Sequence, residues 1–186
     1  MRKLIMQMNI SLDGFADHTV AIADDELHEF AADQLDNLDI LLFGRVTYQL
    51  MESYWPHAHK DSEATGSMIK FANKFNVMPK IVFSKTLQNT GWENTRLIRD
   101  NAIEEVGRLK QQPGKDLSIG GISICQDFIK HGLIDEYLLL VQPFIWGKGR
   151  CMFDILDNKI DLKLTEMKKF KSGVVVLRYL TKSFKG

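Results

Sequence analysis

The chain has 186 residues, 45% of them hydrophobic, which is enough for one globular domain with a substantial core. Lysine plus arginine and aspartate plus glutamate each number 24, so neither nucleic acid nor an anionic membrane is indicated as a partner. The two cysteines are too few for a disulfide framework or a metal site, and no apolar run approaches membrane-spanning length. We therefore expect a single domain over residues 1–186, in a reducing cytoplasm and without a metal.

The first quarter of the chain predicts a strand, a turn, a helix and a second strand. Residues 3–10 are an apolar strand that ends near Asp13-Gly14, a dipeptide typical of turns. Asp24 or Asp25 can cap the helix that follows. Its apolar side chains recur at helical spacing and fall on one face: Leu27, Phe30, Ala31, Leu35 and Leu38. A buried strand over residues 40–43 then ends at Gly44-Arg45.

The middle of the chain continues the alternation of helices and strands. A helix is predicted over residues 45–53, broken after Trp55 by Pro56, and residues 57–66 are predicted to form a loop. Apolar spacing around Phe71 marks another amphipathic helix. The remaining elements of this part are a strand over 80–84, a weak strand over 95–98 and a helix over 101–110.

The last third predicts a strand-turn-helix unit and a closing hairpin. A buried strand over 117–119 meets Gly120-Gly121, and a helix follows from Ile122 to His131. Another strand over 134–141 leads to a glycine-rich loop over 143–149, and residues 162–170 and 174–180 form an antiparallel pair. Strands that alternate with helices and end in a hairpin predict an α/β domain, with a mostly parallel central sheet and an antiparallel C-terminal hairpin.

The Gly120-Gly121 turn is the feature around which a function can be argued. Glycine lacks Cβ, so the backbone turns tightly there and a ligand can approach closely. The helix start behind it presents unpaired N–H groups and a partial positive charge, which suit a phosphate. The alternative is that the two glycines only make a tight strand-to-helix turn. If a pyrophosphate lies against Ile122, a side chain at Gly121 would collide with it.

Three strand-to-helix junctions are expected to meet at one edge of the sheet. In an open α/β sheet, ligands bind at the carboxyl ends of the strands. That edge would bring together Gly-Gly and the polar side chains of two other turns, namely Arg45, Thr47, Ser84, Lys85 and Thr86. Arg45 is one of only two basic residues between residues 10 and 65, against twelve acidic ones. Several phosphate-binding groups along one edge indicate an elongated ligand such as a dinucleotide.

Short motifs in this order resemble a known family. Leu-Leu-Phe-Gly-Arg-Val-Thr-Tyr at 41–48, Ile-Val-Phe-Ser at 81–84 and Ile-Gly-Gly at 119–121 resemble the dihydrofolate reductase-like fold, a three-layer α/β/α arrangement. Ser-Leu-Asp-Gly-Phe at 11–15, Gly-Leu-Ile-Asp-Glu-Tyr at 132–137 and the loop 143–149 resemble one branch of it. That branch is the reductase domain at the C-terminus of the bifunctional riboflavin-biosynthesis deaminase-reductase, with its free-standing relatives.

The resemblance implies roles for individual residues toward NADPH. The Gly-Arg-x-Thr turn, here Gly44, Arg45 and Thr47, would hold the cofactor's phosphates, and Ser84 would lie near the adenosine ribose. The Gly-Gly turn and the helix start would hold the pyrophosphate; these residues are Gly120, Gly121, Ile122, Ser123 and Ile124.

The resemblance also implies an activity and an assembly state. The Ser-Leu-Asp-Gly loop, with Asp13 and Gly14, would border the nicotinamide and a small-molecule substrate, such as a pyrimidine, a pterin or a carbonyl compound. The reaction would be hydride transfer from NADPH, and reduction of 5-amino-6-(5-phosphoribosylamino)uracil in riboflavin biosynthesis is one form of it. Relatives with this C-terminal pattern are commonly homodimers. We expect a two-fold dimer that uses residues 174–180, as an edge strand apolar on both faces, and the loop 143–149.

Two departures from the family pattern affect the substrate. Dihydrofolate reductases carry a carboxylate on the first helix, and an ungapped count back from Gly44-Arg45 places His28 there, with Glu29 next to it. Asp24 and Asp25 reach this position only if the helix register shifts. The threonine that partners this carboxylate is matched by Leu139. Both losses argue against dihydrofolate, and the zinc-site cysteine pattern of the riboflavin enzyme's deaminase half does not occur in the chain.

The proton that accompanies a hydride has several candidate donors. Asp13, His28 and Glu29 are the candidate catalytic residues, and water is a fourth source; a histidine suits the role by its near-neutral pKa. A different class of function stays open, in which the protein binds a dinucleotide or a flavin-like ring without turnover. A third reading is a binding module that uses only the dimer surface.

Overall fold

The structure is a computed structural model that describes residues 1–184. In that part of the chain, five α-helices surround a central sheet: α1 (Asp25–Leu35), α2 (Arg45–Tyr54), α3 (Gly66–Val77), α4 (Ala102–Gln111) and α5 (Ile122–Lys130). The strands are β1 (Leu4–Ile10), β2 (Phe15–Ala16), β3 (Leu38–Gly44), β4 (Lys80–Phe83), β5 (Thr95–Ile98), β6 (Asp116–Gly120), β7 (Glu136–Val141), β8 (Arg150–Cys151), β9 (Leu162–Lys169) and β10 (Val175–Thr181). The predicted alternation of strands and helices is confirmed.

The central sheet has eight strands in the order β5-β4-β3-β6-β1-β7-β10-β9. The first six strands of this order are parallel to their neighbours, whereas β10 is antiparallel to both β7 and β9. The mostly parallel sheet with an antiparallel C-terminal hairpin is therefore confirmed. Since all six parallel strands point the same way, the loops after β1, β3, β4, β6 and β7 lie along one edge, here called the carboxyl edge.

Two apolar layers hold the helices against the sheet. On one face, Leu4, Met6 and Ile119 pack with side chains of α4 and α5, among them Phe128. On the other face, strand side chains such as Leu138 pack with α1, α2 and α3. Parallel strands buried on both faces are expected to be apolar nearly throughout, as β7 is. The three-layer α/β/α arrangement places α1 and α2 on the same face of the sheet.

Two local predictions were wrong, and one pair of strands was not predicted. Residues 57–60, predicted as loop, belong to a short 3-10 helix, Trp55–Lys60, because Pro56 fits the first turn of a helix, where its missing N–H is not needed. The strand after residue 174 is not at the edge, because the hairpin returns it between β7 and β9; the edge strand is β9. Two short strands that the sequence did not indicate, β2 and β8, pair with each other.

Candidate functional site at the carboxyl edge

The turns after β3 and β6 touch each other at their glycines. Gly121 has a φ of +116°, a conformation that residues with a side chain rarely adopt. A methyl group there would lie 3.0 Å from Thr47 Oγ1 and 3.5 Å from the backbone nitrogen of Gly44. A methyl group at Gly44 would lie 3.3 Å from Ile124 Cγ2. We call this close approach of Gly44 and Gly121 the glycine crossing. The protein's own packing favours glycine at both positions, and the crossing brings the two predicted phosphate-binding turns together.

Two helices begin at this crossing, and the backbone N–H groups of their first turns have no side-chain cap. α2 follows Gly44 and α5 follows Gly121, and neither cap residue has a side chain to accept from the first backbone N–H groups. The N-terminus of a helix carries a partial positive charge together with these unpaired donors. The crossing therefore offers two adjacent helix starts, and each is suited to bind an anion such as a phosphate group.

Two arginines stand at these helix starts. Arg45, on the first turn of α2, is exposed and donates to Gln49 Oε1 at 3.1 Å. Arg150, in β8, donates to Ser123 Oγ at 2.8 Å and to Gln126 Oε1 at 3.1 Å, so its guanidinium lies beside the first turn of α5. Arg150 was not predicted from the sequence, because its position depends on a contact with Ser123, 27 residues away. Its place directly after the glycine-rich loop 143–149 is the signal that could have indicated it.

Ser84 lies at the carboxyl edge, where it shapes the turn after β4. Its Oγ accepts from the backbone N–H of Thr86 at 3.2 Å and of Leu87 at 2.9 Å. Lys85 is directed to solvent, with its Nζ 3.7 Å from Asp100. Ser84 Oγ acts only as an acceptor within residues 1–184, whereas Lys85 belongs to the surface.

Asp13 holds two loops of the carboxyl edge together. Its carboxylate accepts from Ser11 Oγ at 2.5 Å and from the backbone N–H groups of Trp146 at 3.0 Å and Gly147 at 2.8 Å. These hydrogen bonds, that of Ser11 first, lower the pKa of Asp13 to about 2. Asp13 is therefore ionised near neutral pH, with both oxygens in use, and is poorly suited to donate a proton.

The two candidates on α1 lie in different surroundings. Glu29 is exposed and pairs with Lys70, which also binds Asp33 at 3.1 Å, so its carboxylate belongs to a surface network between α1 and α3. His28 is half-buried, and its ring packs edge-on against Trp55 with 5.9 Å between centroids. Burial lowers the pKa of His28, against a smaller opposite effect of Asp25 and Asp24. Of these two, His28 is the one packed toward the 3-10 helix that follows α2.

The face of the sheet that carries α1 and α2 includes the surface around Gln7 and Gly120, here called the cleft. Side chains two residues apart on a strand lie on the same face of the sheet. Gly120 therefore shares its face with Ser118 of β6, and Gln7 shares its face with Ile5 of β1, so both Gly120 and Gln7 face this cleft. A methyl group at Gly120 would meet no atom closer than 3.9 Å. Leu139, matched above to the threonine of dihydrofolate reductases, lies on the opposite face with α4 and α5, so that match was wrong.

The residues that face α1 from β7 are Leu138 and Leu140, and both are apolar. This part of the cleft therefore has no threonine to partner a carboxylate. Within residues 1–184, no group of three or more His, Cys, Asp or Glu side chains is arranged to hold a metal ion. No helix of the described chain is long and apolar enough to cross a membrane.

The model of the RibD C-terminal domain family matches residues 2–176. The Bacillus subtilis (strain 168) protein YyaP, described as uncharacterized, is 34% identical over 183 residues, which are 96% of this chain and 94% of that protein. A second protein of the same organism, YwjB, also described as uncharacterized, is 28% identical over 185 residues and matches 93% of this chain and 95% of its own length.

Solved structures share the fold at low identity. A Shewanella sp. PV-4 protein, provisionally described as a riboflavin biosynthesis protein, has a TM-score of 0.73 at 19% identity, with 98% of this chain and 99% of that chain covered. A pyrimidine reductase-like protein from Corynebacterium diphtheriae has a TM-score of 0.64 at 14% identity, with 98% and 93% covered. Acinetobacter baumannii RibD has a TM-score of 0.65 at 15% identity, and the match covers 98% of this chain and 59% of that one.

Proposed function

The chain belongs to the RibD C-terminal domain family, and we propose that it is an NADPH-dependent reductase that transfers a hydride to a small heterocyclic or carbonyl substrate. The observation that carries the proposal is the glycine crossing, where a methyl group at Gly121 would lie 3.0 Å from Thr47 Oγ1 beside two uncapped helix starts. Such a site fits the phosphates of a dinucleotide. Reduction of a pyrimidine in riboflavin biosynthesis is the form of this reaction that the family favours.

Each residue at the carboxyl edge has a definite task in this proposal. Gly44 and Gly121 let the backbone approach the cofactor, and the first N–H groups of α2 and α5 bind its phosphates. Arg45 and Arg150 neutralise phosphate charge, and Thr47 and Ser84 offer hydroxyl groups. When bound, NADPH supplies the hydride; the protein contributes orientation and a partly dry cleft.

The substrate must also receive a proton on the nitrogen or oxygen next to the reduced carbon. Asp13 is ionised, and Glu29 is paired with Lys70 on the surface. His28 is therefore the side chain that we assign to this region, with its lowered pKa keeping it neutral near pH 7. A neutral imidazole donates a hydrogen bond to the substrate, and water supplies the proton.

The surroundings of Asp13 and Glu29 also favour a second function. Because neither Asp13 nor Glu29 is available as an acid, the protein also fits the binding of a dinucleotide or flavin-like ring without turnover. The deciding experiment follows NADPH absorbance in the presence of pyrimidine, pterin and carbonyl compounds. Steady oxidation that stops in a variant unable to bind NADPH supports the reductase. Tight binding without oxidation for any compound supports the second function.

We expect a homodimer that uses the outer face of the C-terminal hairpin. A register shift between Arg178 and Tyr179 places Leu164 and Met167 opposite Tyr179 and Leu177, on one face of the sheet. Leu164 is 48% exposed and Met167 68%, which leaves an apolar surface open to a partner. The edge itself is a poor site for strand pairing, because β9 carries several lysines.

Met167→Glu is therefore expected to convert a micromolar dimer into a monomer, as measured by sedimentation equilibrium. Lys163→Glu is the matched control, because Lys163 pairs with Leu180 on the other face of the same strand and should leave the dimer intact. A wild-type chain that sediments as a monomer at micromolar concentration would contradict the dimer. The cytoplasmic location stays a prediction from the cysteine content.

A further inference from the structure

A second feature of the α1 face is a cavity of about 560 Å³ toward the amino ends of the strands. It lies between the C-terminal part of α1 and the sheet, away from the glycine crossing. Its size is within the range of small-molecule sites, about 300–1,000 Å³. Its lining includes Lys3, Gln7, Lys115, Ser118, Glu166 and Arg178.

The charged side chains of this cavity compensate one another. Lys3 Nζ lies 2.5 Å from Glu136 and 3.4 Å from Asp116. Arg178 binds Glu136, Glu166 and the side-chain oxygen of Gln34.

The third cation, Lys115, donates from Nζ to the carbonyl of Asp36 at 2.7 Å. Three cations thus stand against three carboxylates, and each cation already has an acceptor. A site made for an anion would instead aim unpaired Lys or Arg donors at it.

Two uncharged polar side chains of the cavity have no such partner. Ser118 is 8% exposed and Gln7 is half-buried, and neither side chain has a hydrogen-bond partner within residues 1–184. Ile5 pairs with Ser118 in register, so Gln7 lies beside Gly120, and Leu138 flanks it on the other side. Neither neighbour can accept or donate a side-chain hydrogen bond. Both polar groups therefore open into the cavity, where the Ser118 hydroxyl and the Gln7 amide are free to bind a ligand.

Gln7 lines the cavity and also lies beside Gly120, at the cofactor end of the cleft. A methyl group at Gly120 would lie 4.0 Å from the backbone oxygen of Gln7 and 3.9 Å from Thr47 Cγ2. Gln7 therefore stands between Gly120, at the proposed cofactor site, and Ser118, in the cavity. A substrate whose reacting atom lies near Gly120 has this cavity as the space for its remaining part.

We propose that the cavity holds the part of the substrate distant from the hydride, that Gln7 and Ser118 hydrogen-bond to it, and that this part carries no net charge. This inference rests on the proposed function, because it specifies the class of substrate that the proposed reductase would bind. The ligand is an uncharged, hydrogen-bonding molecule of about nucleoside size. A phosphorylated substrate is disfavoured in this cavity, because its phosphate would have to displace a carboxylate from Lys3 or Arg178.

The test uses uridine and uridine 5′-monophosphate, a pair that differs only in the charged group. Binding to the full chain is measured by titration calorimetry and by the shift in melting temperature. We expect uridine to bind at millimolar concentration and its monophosphate to bind no more tightly. Gln7→Met and Ser118→Ala each remove a polar group at nearly constant shape and should weaken uridine by at least about fivefold. Gln112→Met, at an exposed position after α4, is the control and should bind uridine as the wild type does.

Two results would overturn the proposal. One is tighter binding of the monophosphate, by about tenfold or more, that is lost in Lys3→Met or Arg178→Met, since this would make the cavity an anion site. The other is absence of uridine binding, or equal binding by the wild type and the two polar-group variants. NADPH binding by the wild type is measured separately: if NADPH binds and uridine fails, only this inference is lost, whereas absence of NADPH binding removes the proposed function.

Discussion

Gly121→Val is expected to abolish NADPH binding and to lower the stability of the chain. Gly121 has a φ of +116°, and its first added carbon would lie 3.0 Å from Thr47 Oγ1. A β-branched residue held in such a conformation typically costs about 1–3 kcal/mol. The valine side chain is therefore expected both to distort the glycine crossing and to occupy the space of the pyrophosphate. Gly121→Ala would carry the same backbone strain. Because of its positive φ, Gly121→Ala does not separate folding from cofactor binding.

Gly120→Ala is the variant that separates folding from binding. Its methyl group would lie 3.9 Å or more from its neighbours, in ordinary contact, on the face of the sheet that carries α2. We expect an unchanged circular dichroism spectrum and melting temperature, but NADPH binding at least about tenfold weaker, a loss of about 1.4 kcal/mol.

The matched control for Gly120→Ala is Gly107→Ala in α4, where a methyl group meets nothing within 4 Å. That variant should bind NADPH as the wild type does and be slightly more stable, because alanine favours a helix over glycine. If Gly120→Ala folds and binds NADPH normally, the cofactor does not approach the cleft at this point.

Arg45→Ala is expected to weaken NADPH more than NADH. Arg45 is exposed at the first turn of α2 and donates only to Gln49 within the described residues, so its guanidinium is free to turn toward a 2′-phosphate. Loss of such a charge-assisted contact typically costs about 1.5–3 kcal/mol, or roughly 10- to 150-fold in Kd. The dissociation constants of both cofactors are compared in the two proteins by fluorescence titration.

A surface arginine of α4 provides the control for Arg45. Arg108 is exposed and pairs with Glu105 at 2.7 Å, so Arg108→Ala should leave both cofactors unaffected. Equal losses for NADPH and NADH in Arg45→Ala would exclude a 2′-phosphate role. In that case Arg150, which stands at the start of α5, becomes the residue to replace next.

Much of the fold was predictable because its signals are local. The apolar strands, the amphipathic helices and the Gly-Gly turn are each recorded in a few consecutive residues. The positive φ of Gly121 is the kind of conformation that a glycine between a strand and a helix indicates. The sequence also contained the signal for the interior position of β10, because a strand that is apolar on both faces is typical of the interior of a sheet. The lysines of β9 are typical of an edge strand.

The candidate site was less predictable, because it depends on contacts between distant residues. Asp13 was a candidate acid until its partner N–H groups at Trp146 and Gly147, more than 130 residues away, were placed around it. The role of Arg150 depends on Ser123 in the same way. Gln7 had a signal that was not used: it is an amide within an apolar strand. The assignments of Gly44, Thr47 and Ser84 to the cofactor remain predictions.

Titration calorimetry of the wild-type chain with NADPH, NADP, NADH and FMN tests the central claim most directly. The glycine crossing, the two uncapped helix starts and Arg45 together predict one NADPH bound per chain, NADP bound at the same site, NADH bound more weakly and no binding of FMN. Binding of FMN in preference to the nicotinamide cofactors, or no binding of any of the four, would contradict the account.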